Sequence, residues 1–223
     1  MAIADRPPRI LVTGFGGFPG VPDNASAAVG VALARRLAQA LPGAPVRSAV
    51  LPVEWETAPR QLGQLMAQEP PDVCFHLGVS VRVRGVVMEP MACNWAGRKR
   101  DAAGWFPSSD QLLVGAPMQL RPHVNPEPLV RLMALEQLPI ACSPAASDYL
   151  CNAIFFHSLW LARQPETGQR RLVLFAHLPV RVGTAGQVDG VDCQPSAALS
   201  MAAAVSTLMR VLTGLLLEFK STE

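Results

Sequence analysis

The stretch "SDYLCNAIFFHSLW", Ser147 to Trp160, reads as an amphipathic helix carrying Cys151 in its first turn. A cysteine at that position can pack or react. Its thiol has an ordinary pKa of about 8.5, and the thiolate is the reactive form. Unpaired N–H groups and the positive dipole end of a helix favour the thiolate by only about 0.3–1 kcal/mol. Nucleophilic chemistry at Cys151 therefore calls for an imidazole nearby.

Four histidines compete for that role. His157 lies six residues further along the same helix, about 240° around it, and faces away from Cys151. His123 sits in a proline-flanked loop. His76 and His177 each stand near the end of a strand-like run and are both geometric candidates. His177, followed by Leu178-Pro179, is the preferred one. A carboxylate is needed to orient the ring, and Glu89 stands out because "GVVMEPMAC" is otherwise apolar around it. A lone Glu in such a run is costly unless paired or protonated.

A second group of candidates lies in "TGFGGFPG", after the first strand-like run. Phe15 and Phe18 stand beyond the carboxyl end of a strand, where open α/β sheets place ligands. The competing reading is a turn whose Phe side chains plug the core. Pro19 occupies the position of the third glycine of a dinucleotide fingerprint, and no G-K-[ST] follows, so a phosphate cradle is disfavoured.

These residues need elements to hold them. "RILVTG", "VRSAVLPV", "DVCFHLG", "GVVMEPMAC", "IACS" and "RLVLFAH" read as strands. Helices are expected from a cap at Asn24 or Ser26 to about Leu41, and over "TAPRQLGQLMAQ" and 127–136. Two more are expected over 147–160 and from Ser196 to about Leu217. Residues 94–126 are loop-rich, and a loop of that length is usually functional or mobile. Strands alternating with helices predict an α/β fold, a mainly parallel sheet covered on both faces. With no repeat and no linker, residues 1–223 are read as one domain.

Composition narrows the function. Half of the 223 residues are hydrophobic and 16% are charged, as in a globular protein. A net charge of +2 with scattered basic residues points to no nucleic-acid partner. The C-terminal apolar stretch is broken by Arg210 and reads as a core or interface helix, so no membrane is expected. Five cysteines (Cys74, Cys93, Cys142, Cys151 and Cys193) form an odd set without a C-x-x-C pair. That argues against a disulfide framework and a metal site, and for a reducing cytoplasmic setting. Cys74 and Cys142 read as small buried hydrophobes.

At these residues the sequence resembles the pyrrolidone carboxyl peptidases, also called pyroglutamyl peptidase I, over nearly its whole length. Thr13, Gly14, Phe15 and Phe18 resemble the family's T-G-F-x-P-F loop, and Asn24-Ala25-Ser26 its N-P-[ST] element. Glu89-Pro90-Met91-Ala92-Cys93-Asn94 resembles E-R-x-A-x-N, and Gly115-Ala116-Pro117 its G-x-P. Tyr149-Leu150-Cys151-Asn152 matches Y-L-C-N, and His177-Leu178-Pro179 matches H-[VI]-P. Six motifs in order at compatible spacing are specific together. There are departures. Gly17 replaces the loop proline, and Arg82-Val83 replaces a glycine-arginine pair. Ala145-Ala146-Ser147 replaces S-A-G. The loop after Asn94 matches R-I-P-D-N-E-G through Arg98, Asp101 and Gly104 when shortened by one residue; otherwise Lys99 takes the arginine position.

The resemblance implies a cytosolic three-layer α/β/α sandwich with a mixed, mainly parallel sheet. It implies a cysteine peptidase that removes an N-terminal pyroglutamyl residue through an acyl-enzyme. Cys151 would be the nucleophile, His177 the general base and acid, and Glu89 the orienting carboxylate. Phe15 and Phe18 would hold the lactam ring, with Asn24 bracing their loop and Arg98 near the oxyanion. Neither metal nor cofactor is required, and relatives often form dimers or tetramers. The rivals are a catalytically poor binding protein on the same fold, another cysteine-dependent cyclic-amide hydrolase, and a nucleotide-binding α/β protein.

Overall fold

Alternate residues along the central strands face opposite cores, and this period of two places the site. The computed structural model describes residues 6–164, 170–182 and 199–221. On β1 (Ile10–Phe15), Ile10 and Val12 enter one core, while Leu11 and Phe15 enter the other. On β3 (Val73–Ser80), Val73, Phe75 and Leu77 join the first and Cys74 the second. On β8 (Leu172–Pro179), Leu172, Leu174, Ala176 and Leu178 join the first, and Val173 and Phe175 the second. These strands are apolar on both faces, as a covered sheet requires.

With β2 (Val46–Leu51), β4 (Val86–Met88) and β7 (Ile140–Cys142), they form a six-stranded sheet of order β2-β1-β3-β8-β4-β7. Its pairings are parallel except for β4 against β8. The reversal is functional in its consequence, because it sets Val87 opposite His177. The "GVVMEPMAC" run does not form one strand. After β4 it breaks at Glu89-Pro90, and β5 (Ala92–Cys93) pairs instead with β6 (Gln119–Leu120). Pro90 lacks the N–H that would continue a ladder.

Helices α1 (Ala25–Ala40), α3 (Glu127–Leu135) and α5 (Met201–Ser221) cover the first core, and α2 (Thr57–Gln68) and α4 (Leu150–Leu161) the second. The result is a three-layer α/β/α sandwich. Asn24 caps α1, its side chain accepting from the Ser26 N–H. The segment 196–198, expected to begin the last helix, lies outside the described residues. By length and composition α5 could cross a membrane. It instead lays Leu208, Val211, Leu212, Leu215 and Phe219 into the first core, about 1.5–3 kcal/mol for each large side chain buried.

The helix bearing Cys151 corrects the amphipathic reading. Leu150, Asn152, Ala153, Ile154, Phe155, Phe156, Ser158 and Leu159 are all buried, so α4 is hidden on nearly every side. The sheet covers one side, α2 another, and the 94–118 segment reaches over the rest.

Candidate active site

β8 ends at Pro179, and His177, on the face turned toward α4, is its last large side chain there. Met88 is the last residue of β4, and the next residue, Glu89, donates its N–H to Phe175 O at 3.0 Å. That bond aims the Glu89 side chain across the strand. Its Oε1 accepts from His177 Nδ1 at 2.8 Å, with both side chains less than a tenth exposed. Burial alone would push the imidazole's pKa down from 6.5. Interaction with Cys151, and then the hydrogen bond and charge of Glu89, outweigh burial and raise it to about 10. The ring therefore holds its second proton at neutral pH.

Cys151 is the second residue of α4. Its backbone N–H is among the first few of the helix, which have no intrahelical acceptor. The thiol sits over β3 at Gly78, the residue paired with His177. A Cβ on Gly78 would lie 2.7 Å from Cys151 Sγ and 3.0 Å from the Phe175 ring, so only glycine leaves room for the sulfur there. Glu89, Cys151 and His177 share a narrow cleft with Met91, Ser147, Asn152, Phe155 and Phe175. It opens at the carboxyl ends of β3 and β8, where sheets of this kind bind ligands.

Two asparagines fix the cleft, and sequence reasoning gave neither a role. Asn152 behaves like one more strand residue: its Oδ1 accepts from Cys93 N at 2.8 Å, and its Nδ2 donates to Cys93 O at 2.8 Å and Trp95 O at 2.9 Å. It thereby ties the start of α4 to the segment that follows Glu89. Asn94 is fully buried and pins the 113–116 turn through Leu113 N, Leu113 O and Ala116 O. The available signal was position, since each asparagine follows a chemically interesting residue by one to five places.

The loop after Asn94 is anchored as well. Buried Asp101 accepts N–H bonds from Trp55, Ala103 and Trp105. The Trp55 indole donates to Lys99 O at 2.9 Å and stands edge-on to Tyr149, 5.2 Å between centroids. Tyr149 donates its hydroxyl to Arg100 O at 3.0 Å. Lys99 forms an ion pair with Asp148. The loop and the start of the Cys151 helix are thus one connected structure.

The other expected site residues do not line this cleft. Phe15 is 3% exposed and packs in the core with Leu51 and Val53. Phe18 is half-buried against the same core. Asn24 braces their loop, its Nδ2 donating to Gly16 O at 3.0 Å. Ser26 helps, accepting the Phe15 N–H at 2.9 Å. Arg98 is exposed and does not line the cleft, and Arg82 and Arg84 are exposed too.

His76, the other histidine left open by the sequence, points its Nδ1 at Thr13 Oγ1, 2.7 Å away. Full burial lowers its pKa to about 3, so the ring is neutral. Cys74 is buried and its thiol is pushed up to about 12 by that burial; Cys142 is half-buried and is pushed up to about 11, chiefly for the same reason. Cys193 lies outside the described residues. Among the described residues, no three His, Cys, Asp or Glu side chains are grouped to hold a metal.

Known proteins share this arrangement of the chain. A solved pyrrolidone carboxyl peptidase from Pyrococcus furiosus, a mutant form, superposes with a TM-score of 0.76 at 23% identity, covering 95% of this chain and 99% of that one. One from Thermus thermophilus superposes with a TM-score of 0.72 at 28% identity, covering 91% and 98%. In sequence, the pyrrolidone-carboxylate peptidase of Thermococcus kodakarensis is 26% identical over 172 residues, 77% of this chain and 81% of that protein. The family model for pyroglutamyl peptidase matches residues 8–212. The chain belongs to the pyroglutamyl peptidase family and is a hydrolase of the cysteine exopeptidase type.

Proposed function

We propose that this protein removes an N-terminal pyroglutamyl residue from peptides, with Cys151 as nucleophile, His177 as proton carrier and Glu89 as the group that orients and charges the imidazole. One observation carries the assignment: His177 is held at 2.8 Å by buried Glu89 and interacts with a thiol at a helix start. An imidazolium there favours the thiolate. The sulfur attacks the carbonyl after the lactam ring, and the carbonyl electron pair moves onto oxygen. Collapse of that adduct breaks the C–N bond, and the leaving amine takes a proton from His177. His177 then draws a proton from water, which attacks the thioester and frees Cys151.

The substrate's N-terminus is a neutral lactam, so recognition needs an apolar surface and backbone hydrogen bonds, not charge. Phe18, packed against the core that holds Phe15 and braced through Asn24, offers that surface. Arg98, expected near the oxyanion, stands exposed on the following loop and off the cleft walls, so this reading gives it no role in the reaction. Residues 1–223 act as one domain in this reading, in a reducing cytoplasm that keeps Cys151 a free thiol. Exposed Leu132 and Leu135 on α3 and Leu217 on α5 suit a homo-oligomer, dimer or tetramer, which sedimentation of the native protein tests.

The test of function is kcat/KM on pyroglutamyl, prolyl and glutamyl amides side by side, with Cys151→Ser as the control. Pyroglutamyl amide should be cleaved and the Cys151→Ser variant should be folded but slower by several orders of magnitude. Prolyl amide lacks the lactam carbonyl and should lose about 10- to 100-fold, the cost of an unsatisfied partner of about 1–3 kcal/mol. Glutamyl amide brings two charges into a neutral pocket and should fare worse. Equal rates on prolyl and pyroglutamyl amides would refute lactam recognition. No cleavage by reduced, folded protein would leave a binding protein.

A further inference from the structure

An oxyanion formed at Cys151 needs hydrogen-bond donors, and among the described residues the side chains on the cleft walls offer few. The side chains of Phe155, Phe175 and Met91 have none to give. Glu89 only accepts. Both N–H bonds of the Asn152 amide are already spent on Cys93 O and Trp95 O. His177 is committed through Nδ1 to Glu89 and through its interaction with Cys151. The exposed arginines 82, 84 and 98 are not on the walls. Ser147 remains.

Its oxygen accepts the Tyr149 N–H at 3.3 Å, which fixes the oxygen and leaves the hydroxyl hydrogen for another acceptor. The segment before it is also held. Ser143 N donates to Met88 O at 2.9 Å, one residue from Glu89, and Ser143 Oγ donates to Ala145 O at 2.7 Å. A donor on such a braced segment requires little reorganisation as charge develops.

Resting on the peptidase reading above, we propose that the Ser147 hydroxyl is a catalytic oxyanion donor, acting together with the Cys151 N–H. As the C–S bond forms, the carbonyl electron pair moves onto oxygen and is met by these two donors. When the C–N bond breaks, the pair returns to the carbonyl and both hydrogen bonds weaken. No proton leaves Ser147.

The test compares wild type, Ser147→Ala and Ser147→Thr in three measurements. These are kcat and KM on a pyroglutamyl amide as a function of pH, inhibition by a pyroglutamyl aldehyde that adds reversibly to the thiol, and alkylation by iodoacetamide. Ser147→Ala should lose roughly 10- to 100-fold in kcat, the range for one hydrogen bond made chiefly in the transition state. It should lose aldehyde affinity in the same ratio, with KM within about twofold and alkylation unchanged, because the thiol and its imidazole are untouched. Ser147→Thr should restore most of the loss. The proposal is overturned if Ser147→Ala keeps wild-type kcat and aldehyde affinity. It is also overturned if alkylation falls in step with kcat, which would mark a structural role, or if the alkaline limb of the pH profile moves, which would put the hydroxyl on Glu89. A wild-type protein that neither cleaves the amide nor binds the aldehyde would overturn the peptidase reading and this proposal together.

Discussion

The Glu89 carboxylate and His177 ring are buried together, and the charge of each is tolerable only because of the other and of Cys151. The sign of the effect is fixed. Glu89 raises the His177 pKa, so Glu89→Gln should lower it from about 10 toward the value that burial prefers. The alkaline limb of kcat/KM, where His177 loses the proton it must give the leaving amine, should move to lower pH in that variant. Circular dichroism should be unchanged, and the loss of turnover smaller than in Cys151→Ser. A Glu89→Gln variant with wild-type turnover and an unmoved alkaline limb would reduce Glu89 to packing. The lone acid in an apolar run was visible in the sequence. The preference for His177 over His76 was visible too, in the Leu178-Pro179 that stops its strand, but the chemical difference between the two rings was not. Burial and a threonine hydroxyl make one of them neutral, while Glu89 and Cys151 charge the other.

Strand β3 and helix α4 meet at a glycine, and that contact decides where the thiol stands. Gly78→Ala puts a methyl group 2.7 Å from Cys151 Sγ. A cysteine side chain can rotate away at modest cost, so the fold should survive while the sulfur leaves the imidazole. The expected result is a native-like melting curve with kcat reduced at least tenfold and slower alkylation of Cys151, since misplaced reacting groups lose rate steeply. Unchanged kcat in Gly78→Ala would show that the thiol works from another position. Most elements were readable from periodicity, with α2 at its full length over "TAPRQLGQLMAQ". The failures have physical causes. Helix α4 looked amphipathic because the distant 94–118 segment that covers its outer side leaves no local signature. The Glu89 run looked like one strand because the break depends on Pro90 and on a partner strand some 27 residues away, β6.

At the scale of the molecule, the site lies where two parallel strand ends, an antiparallel neighbour and a helix start converge, so stability and activity share the same groups. His177 has a folded pKa near 10 against an ordinary 6.5, and a raised pKa means that folding binds a proton more tightly. The stability it contributes is therefore complete below about pH 6.5, declines as pH rises from there, and is lost above about 10. Urea denaturation across that window should show wild type losing stability more steeply than His177→Asn; parallel curves would contradict the shift. The departures of this chain from its relatives, at Gly17, Val83 and Ala145 to Ser147, leave Glu89, Cys151 and His177 in one cleft, and the activity proposed depends on the reactivity this gives Cys151. It is tested most directly by labelling reduced protein with a pyroglutamyl chloromethyl ketone and mapping the adduct by peptide mass spectrometry. One adduct per chain is expected, on Cys151, formed in step with loss of activity and slowed by pyroglutamyl amide. Inactivation with Cys151 unmodified, or an adduct on Cys93 or Cys142 in its place, would contradict it.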